Sequence, residues 1–101
     1  MTTDPNRVPN FSLDSFSLAG RVAIVTGGSD GIGRGIAHSF ADAGAKVVIA
    51  ARGQEKIDSV LAELAAKGHD ALGVPTDVTD PEATQALARR TLERFGQIDI
   101  L

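Results

Sequence analysis

The sequence predicts an α/β protein built on a doubly wound parallel sheet. Three short apolar runs, typical of buried strands, alternate with three segments whose apolar residues recur at helical spacing. Strands that alternate with helices favour right-handed crossovers, and therefore parallel strands covered by helices. A fourth apolar run begins at the end of the chain. The predicted sheet is therefore incomplete, with three strand–helix units and the start of a fourth strand.

The first unit joins a strand to a helix through a glycine-rich turn. VAIVT, residues 22–26, is a β-branched run typical of a strand covered on both faces. Five of the eleven glycines lie in residues 27–35. The helix that follows is predicted to stop at Gly44. Its residues predicted to face the core are Ile32, Ile36, Ala37 and Phe40.

The second unit begins with KVVIAA, residues 46–51, which is again a buried strand. Its helix is predicted to end at Gly68, with Glu63 and Lys67 paired four residues apart on the exposed side. The charged residues Glu55, Lys56 and Asp58 are also interpreted as an exposed helix face. The predicted inner residues are Ile57, Val60, Leu61 and Leu64.

The third unit begins with ALGVPT, residues 71–76. Pro75 cannot donate to a strand ladder, so this strand is predicted to be an edge or to end at Pro75. Either Thr79 or Asp80 caps the following helix, and the sequence leaves that choice open. Gly96 is predicted to close the helix. Its predicted inner residues are Leu87, Leu92 and Phe95.

Composition excludes several classes of function. At 101 residues, with 43% hydrophobic and 23% charged residues, the chain fits one small globular domain. A net charge of −3, with no basic cluster beyond Arg89 and Arg90, argues against a nucleic-acid partner. No apolar run approaches the roughly 20 residues that span a bilayer, so no membrane partner is expected. The absence of cysteine excludes thiol catalysis, and a cytoplasmic location is the expectation.

The glycine turn predicts a binding site for the diphosphate of a dinucleotide. Ligands of such sheets bind beyond the carboxyl ends of the strands, where free amides and the positive end of a helix dipole suit an anion. We expect Gly27 to permit the sharp turn, Gly31 the close approach of the ligand and Gly33 the close packing of helix on strand. The alternative is a glycine-rich turn without a ligand, but the flanking strand and helix favour the site.

Two other motifs overlap the same residues. Residues 27–31 spell G-x-S-x-G, the nucleophile elbow of serine hydrolases, but the only candidate histidine that follows is His69, in a predicted turn. Residues 28–33 have the glycine spacing of a P-loop, but Arg34 and Gly35 stand where Lys and Ser or Thr are needed. A serine hydrolase is the less favoured alternative, and a nucleoside triphosphatase is less favoured still.

TGGSDGIG, residues 26–33, resembles the T-G-x-x-x-G-x-G fingerprint of the classical short-chain dehydrogenase/reductase family. LAGRVAIVTGG, AGAKVVIAAR, DVTD and FGQIDIL are similar to other phrases of that family, in the same order, so the resemblance covers residues 16–101. It implies a Rossmann fold, bound NAD or NADP, and hydride transfer between nicotinamide and a small alcohol or carbonyl substrate. It also implies the strand order 3-2-1-4, with the fourth strand beside the first.

The end of the second strand favours NADP over NAD. A carboxylate there would bind the adenosine ribose hydroxyls, but the chain has Arg52, whose planar guanidinium suits a phosphate. Asp30 stands where many NADP-using relatives carry a basic residue, and its carboxylate would repel a 2′-phosphate if it pointed inward. The alternative for Arg52 is a solvated charge at a strand end.

Asp77 and Val78 resemble the pair that contacts adenine in the family, although Asp77 could instead form an Asx turn before the helix. His38 and His69 are interpreted as surface histidines without partners at catalytic or metal spacing, and no metal site is predicted. The predicted cofactor residues are Gly27, Ser29, Asp30, Gly31, Ile32, Gly33, Arg52, Asp77 and Val78.

The catalytic residues that the resemblance implies are not in this chain. Relatives carry a serine and a Tyr-x-x-x-Lys pair further along, and this chain has no tyrosine. We therefore expect a flexible arm over residues 1–15 and the amino-terminal part of a dinucleotide-binding domain over residues 16–101, inactive alone and homotetrameric when full length. The alternative is a complete, non-catalytic dinucleotide-binding module.

Overall fold

The computed structural model describes residues 17–100, and the arm predicted over residues 1–15 lies outside them. Strands and helices alternate in the predicted order, which confirms the α/β fold class. The elements are β1 (Val22–Thr26), α1 (Gly31–Asp42), β2 (Lys46–Ala51), α2 (Gln54–Ala66), β3 (Ala71–Pro75) and α3 (Pro81–Phe95).

All strand pairs in the described sheet are parallel, in the order β1-β2-β3. On the other side of β1, Ala23 forms a parallel bridge with Ile100, and the Ile24 amide donates to the Ile100 carbonyl at 2.9 Å. The start of the fourth strand therefore lies beside the first, as the strand order 3-2-1-4 requires. Pro75 is both the last residue of β3 and part of an edge strand of the described sheet.

Helices cover both faces of the sheet. Alternating strand residues face α1 and α2 on one side and α3 on the other. On α2, the predicted inner residues Ile57, Val60 and Leu64 are fully buried. Gly73 lets α2 lie close to β3, because a Cβ there would be 2.3 Å from the Ile57 side chain. Both faces of the sheet thus carry a cluster of buried apolar residues beneath the helices.

The predicted inner face of α1 is partly wrong. Ile32 is 84% exposed and Ile36 is also exposed, whereas Ala37 and Ala41 are buried. The start of α1 lies close to the glycine turn, where a Cβ at Gly33 would be 2.2 Å from the Gly27 carbonyl oxygen, and small side chains suit such a close approach. Phe40 packs partly against the core, as predicted.

The inner face of α3 also differs by one residue. Leu92 is 49% exposed, while the neighbouring Thr91 is fully buried beside Leu87. The Thr91 hydroxyl donates to the Leu87 carbonyl at 2.8 Å, which satisfies a polar group that hydropathy alone places outside. The helix begins with Asp80 as its cap, since the Asp80 carboxylate accepts from the Glu82 amide at 3.0 Å. Asp80, and not Thr79, is therefore the N-cap of α3.

The predicted pair of Glu63 and Lys67 is wrong, because Glu63 of α2 and Lys67, which follows α2 as its C-cap, both contact residues of α1. Glu63 accepts hydrogen bonds from Arg34, and Lys67 lies 2.9 Å from Asp42. Partners on the adjacent helix are nearer than the partner one turn away on the same helix. These ion pairs join the two helices on the outer face of the molecule.

Candidate functional site

A cleft of about 570 Å³ opens at the carboxyl ends of the parallel strands. Thr26 ends β1, Ala50 and Ala51 end β2, and Thr76 follows β3, and all four line it. The volume is in the range of small-molecule sites in proteins. The position agrees with the rule that open parallel sheets bind ligands beyond the carboxyl ends of their strands.

The glycine turn forms one wall of this cleft. Gly27 has φ +68°, as the predicted sharp turn requires, and its amide donates to the Ala50 carbonyl at 2.8 Å. This bond ties the turn to β2. A Cβ at Gly33 would lie 2.2 Å from the Gly27 carbonyl oxygen. Gly33 therefore allows the start of α1 to pack on the turn itself, which refines the prediction of packing on the strand.

The first turn of α1 lacks a side-chain cap. Asp30 stands at the N-cap in extended conformation, but its carboxylate accepts no bond from the helix amides. At the start of α3, by contrast, Asp80 fills that role. A Cβ at Gly31 would meet only open space, so nothing blocks approach to these amides. Uncapped amides and the helix dipole make this turn suited to an anion.

The structure places the other predicted cofactor residues around the same cleft. Ser29, Asp30, Arg52 and Val78 line it together with Gly27. Ile32, next to Gly31 in the first turn of α1, is largely exposed to solvent. Five of the nine predicted residues therefore line the cleft, and they come from three separate strand–helix connections. The other four do not line it: Gly31, Ile32, Gly33 and Asp77.

Arg52 and Asp77 lie close to one another at the rim. Arg52 Nη2 is 3.8 Å from Asp77 Oδ2, and the Arg52 side chain is 83% exposed. Asp77 Oδ1 accepts from the Thr79 amide at 2.9 Å and from its hydroxyl at 2.6 Å, so Asp77 forms the alternative Asx turn. These bonds, with a smaller contribution from Arg52, lower the pKa of Asp77.

Two residues of the site were missed by sequence reasoning. Lys56, interpreted as part of an exposed helix face, lines the cleft and places its Nζ 2.7 Å from Asp30 Oδ2. No sequence signal joins two residues 26 positions apart on different elements. Gly28 was not singled out, yet a Cβ there would lie 3.0 Å from the Val25 carbonyl and 3.2 Å from Ile49. Only its place in a glycine-rich run hinted at this constraint.

Each histidine contacts one carboxylate that is distant in the sequence, a contact that residue spacing did not indicate. His38 Nε2 lies 2.9 Å from Glu63, and His69 Nε2 lies 2.8 Å from Asp42. Neither histidine lines the cleft that contains Ser29, which disfavours a serine hydrolase. Within residues 17–100, no three ligating side chains are grouped as a metal site requires. In the same part of the chain, no helix has the length and apolar character needed to cross a membrane.

The parallel sheet and the glycine turn at its carboxyl edge define a Rossmann-like α/β protein. The family described as short chain dehydrogenase matches residues 21–101. The chain belongs to the short-chain dehydrogenase/reductase family.

Relatives agree with this assignment in sequence and in structure. An uncharacterized oxidoreductase of Mycobacterium tuberculosis is 43% identical over 89 residues, which are 88% of this chain and 34% of that protein. Versicolorin reductase 1 of Aspergillus parasiticus is also 43% identical over 89 residues, covering 87% of this chain and 34% of that protein. The chain thus spans about a third of the length of these relatives.

Solved structures show the same fold. A hydroxysteroid dehydrogenase from Escherichia coli superposes with a TM-score of 0.85 at 36% identity, over 89% of this chain and 38% of that one. A short-chain dehydrogenase/reductase from Burkholderia phymatum, solved in complex with NAD, gives a TM-score of 0.80 at 36% identity. That match covers 84% of this chain and 31% of the other.

Proposed function

We propose that this chain is the cofactor-binding part of an NAD(P)-dependent oxidoreductase that transfers hydride between nicotinamide and the alcohol or carbonyl group of a small molecule. The family supports the reaction class, and the complex of one relative with NAD supports the cofactor class. The single observation that carries the proposal is the uncapped start of α1 beside a glycine turn, facing a cleft at the carboxyl ends of three parallel strands.

The residues present fit a dinucleotide. The amides of the α1 start, from Gly31 to Gly33, would hold the diphosphate, where side chains would keep it away. Asp77 and Val78 would contact adenine, and Val78 is 59% exposed at the cleft. When bound, nicotinamide supplies the site that accepts or donates the hydride. The role of this chain is then to bind and orient the adenosine half.

We further propose that NADP is preferred to NAD. Arg52 lines the cleft at the end of β2, where a carboxylate would select the ribose hydroxyls of NAD. Its exposed guanidinium is a planar group able to pair with a 2′-phosphate. The nearby Asp77 is held by Thr79, which leaves Arg52 free to change partner.

The catalytic groups are proposed to lie in a longer protein. The chain covers about a third of its relatives and contains no tyrosine, so the serine, tyrosine and lysine that the family resemblance implies must come from further residues. Residues 16–101 are then the amino-terminal part of one domain, in a cytoplasmic homotetramer. A serine and a Tyr-x-x-x-Lys pair in the next 150 or so codons would support this, and a stop codon after Leu101 would exclude it.

Titration of the longer protein with NADPH and NADH, followed by nicotinamide fluorescence, tests the proposal. Gly33→Val forces a side chain into the Gly27 carbonyl, so we expect at least about a tenfold loss of affinity, or ~1.4 kcal/mol. Gly35→Ala is the matched control, because a Cβ there meets nothing and binding should be unchanged. Gly31→Val, strained at φ +50°, replaces Gly33→Val if that variant does not fold. Absence of binding to both dinucleotides by the wild type would overturn the proposal.

A further inference from the structure

Two ion pairs stand at the rim of the cleft. Lys56 Nζ is 2.7 Å from Asp30 Oδ2, and Arg52 Nη2 is 3.8 Å from Asp77 Oδ2. Each pair joins a cation that follows β2 to a carboxylate on another connection of the sheet. The two cations and two carboxylates balance, so this rim carries no net charge from these four side chains. The cation beside each carboxylate reduces the repulsion that the carboxylate exerts on an approaching anion.

The pair of Lys56 and Asp30 joins the first turns of two helices. Asp30 is the N-cap of α1 and Lys56 is in the first turn of α2, and both side chains line the cleft. The carboxylate of Asp30 is turned to Lys56 rather than to the α1 amides. The hydrogen bond and the charge of Asp30 raise the pKa of Lys56 above its ordinary value.

An unpaired Asp30 would oppose a phosphorylated ribose. Its carboxylate lines the same cleft as Arg52, and two like charges near one site destabilise each other. A dinucleotide that has hydroxyls in place of the 2′-phosphate would meet far less repulsion. The charge next to Asp30 therefore affects the affinity for the phosphorylated dinucleotide more than the affinity for the unphosphorylated one.

We propose that Lys56 is a specificity-determining residue that admits a 2′-phosphorylated dinucleotide by neutralising Asp30. The inference rests on the proposed dinucleotide function and adds to it a residue outside the glycine turn. It assigns to Lys56 the role of counter-ion, and leaves direct pairing with the phosphate to Arg52. Asp30 stands where many NADP-using relatives carry a basic residue, and its negative charge is then neutralised by Lys56 of α2, 26 positions further along the chain.

The test compares NADPH and NADH dissociation constants in the longer protein. Lys56→Met leaves Asp30 uncompensated, so the ratio of Kd for NADPH to Kd for NADH should rise about fivefold, as the loss of an exposed ion pair permits. Asp30→Asn combined with Lys56→Met removes the repulsion and should restore the wild-type ratio. Lys67→Met is the matched control, because that lysine pairs with Asp42 and does not line the cleft.

Two results would overturn the inference. One is an equal change for both dinucleotides in Lys56→Met. The other is a loss for NADPH that persists undiminished in the double variant, which would make Lys56 a direct phosphate ligand. Lys56→Gln replaces Lys56→Met if the latter does not fold, and retained NADH binding shows that the site is intact. Failure of the wild type to bind either dinucleotide would instead defeat the proposed function.

Discussion

At the scale of single residues, Arg52 forms a loose ion pair with the Asp77 carboxylate. Its guanidinium is 3.8 Å from Asp77 and exposed to solvent, so the attraction between the two is weak. Asp77 is held more firmly by Thr79, at 2.6 and 2.9 Å. A phosphate with two negative charges would compete well for Arg52, because charge-assisted bonds to a guanidinium are short and bidentate.

We predict that Arg52→Asp shifts cofactor preference from NADPH toward NADH. The substitution replaces a phosphate-binding group by a carboxylate that repels the 2′-phosphate and accepts from ribose hydroxyls. The ratio of Kd for NADPH to Kd for NADH should rise at least about tenfold, or ~1.4 kcal/mol. Arg89→Asp, on the exposed face of α3, is the control with the same charge change. An unchanged ratio would remove Arg52 from the phosphate site.

The sequence indicated the glycines and Arg52 because their signals are local. Gly27, Gly31 and Gly33 stand at fixed spacing between a strand and a helix, and this spacing is visible without coordinates. The pair of Asp30 and Lys56 was not visible, because it depends on how two connections approach each other after the sheet has formed. Side-chain contacts between residues far apart in the sequence leave no periodic pattern from which they could be predicted.

At the scale of elements, charged residues spaced four apart on α1 meet those of α2. Arg34 and His38 contact Glu63, while Asp42 contacts Lys67. The prediction of a pair within α2 failed because side chains on two packed helices compete with neighbours on the same helix. Burial is the main effect that lowers the pKa of His38, with further contributions from the nearby Lys67 and Arg34 charges.

We predict that His38 makes the protein less stable as the pH falls. The pKa of His38 is lowered in the folded state. Below about pH 6.5 the unfolded state therefore binds a proton at His38 more readily than the folded state, and protonation stabilises the unfolded state. The free energy of unfolding should keep the whole contribution of His38 above that pH, and should lose it progressively as the pH falls through the folded-state pKa. Thermal unfolding at pH 7.5 and 5.5 should show a smaller decrease in Tm for His38→Gln than for the wild type. An equal decrease in both proteins would contradict the prediction.

At the scale of the whole molecule, the described fold leaves an apolar groove beside β1. The groove has a volume of about 270 Å³, and Ile36 and Phe40 of α1 line it together with Ile24 and Ile100. It lies where the start of the fourth strand joins the sheet. In the proposed longer protein, further residues would cover this groove and extend the sheet, because exposed apolar grooves and open strand edges favour association.

We predict that a protein made of residues 1–101 alone binds a hydrophobic dye more strongly, per molecule, than the longer protein. The uncovered groove and the edge at Ile100 supply the binding surface. Fluorescence of 8-anilinonaphthalene-1-sulfonate measures it, and light scattering measures the accompanying aggregation. The same short protein should show no oxidoreductase activity. Equal dye binding by the two proteins would show that this surface is not covered by the remaining residues.

The order of strands and helices, the parallel sheet and the position of the glycine turn could be predicted from sequence, because they follow from local periodicity and spacing. Three features could be seen only in the packed molecule. Ala41 rather than Ile36 is buried on α1, Thr91 rather than Leu92 is buried on α3, and Lys56 reaches Asp30. Those outcomes depend on the distance between packed elements. That distance is set by all the contacting side chains at once and leaves no signature in any one segment.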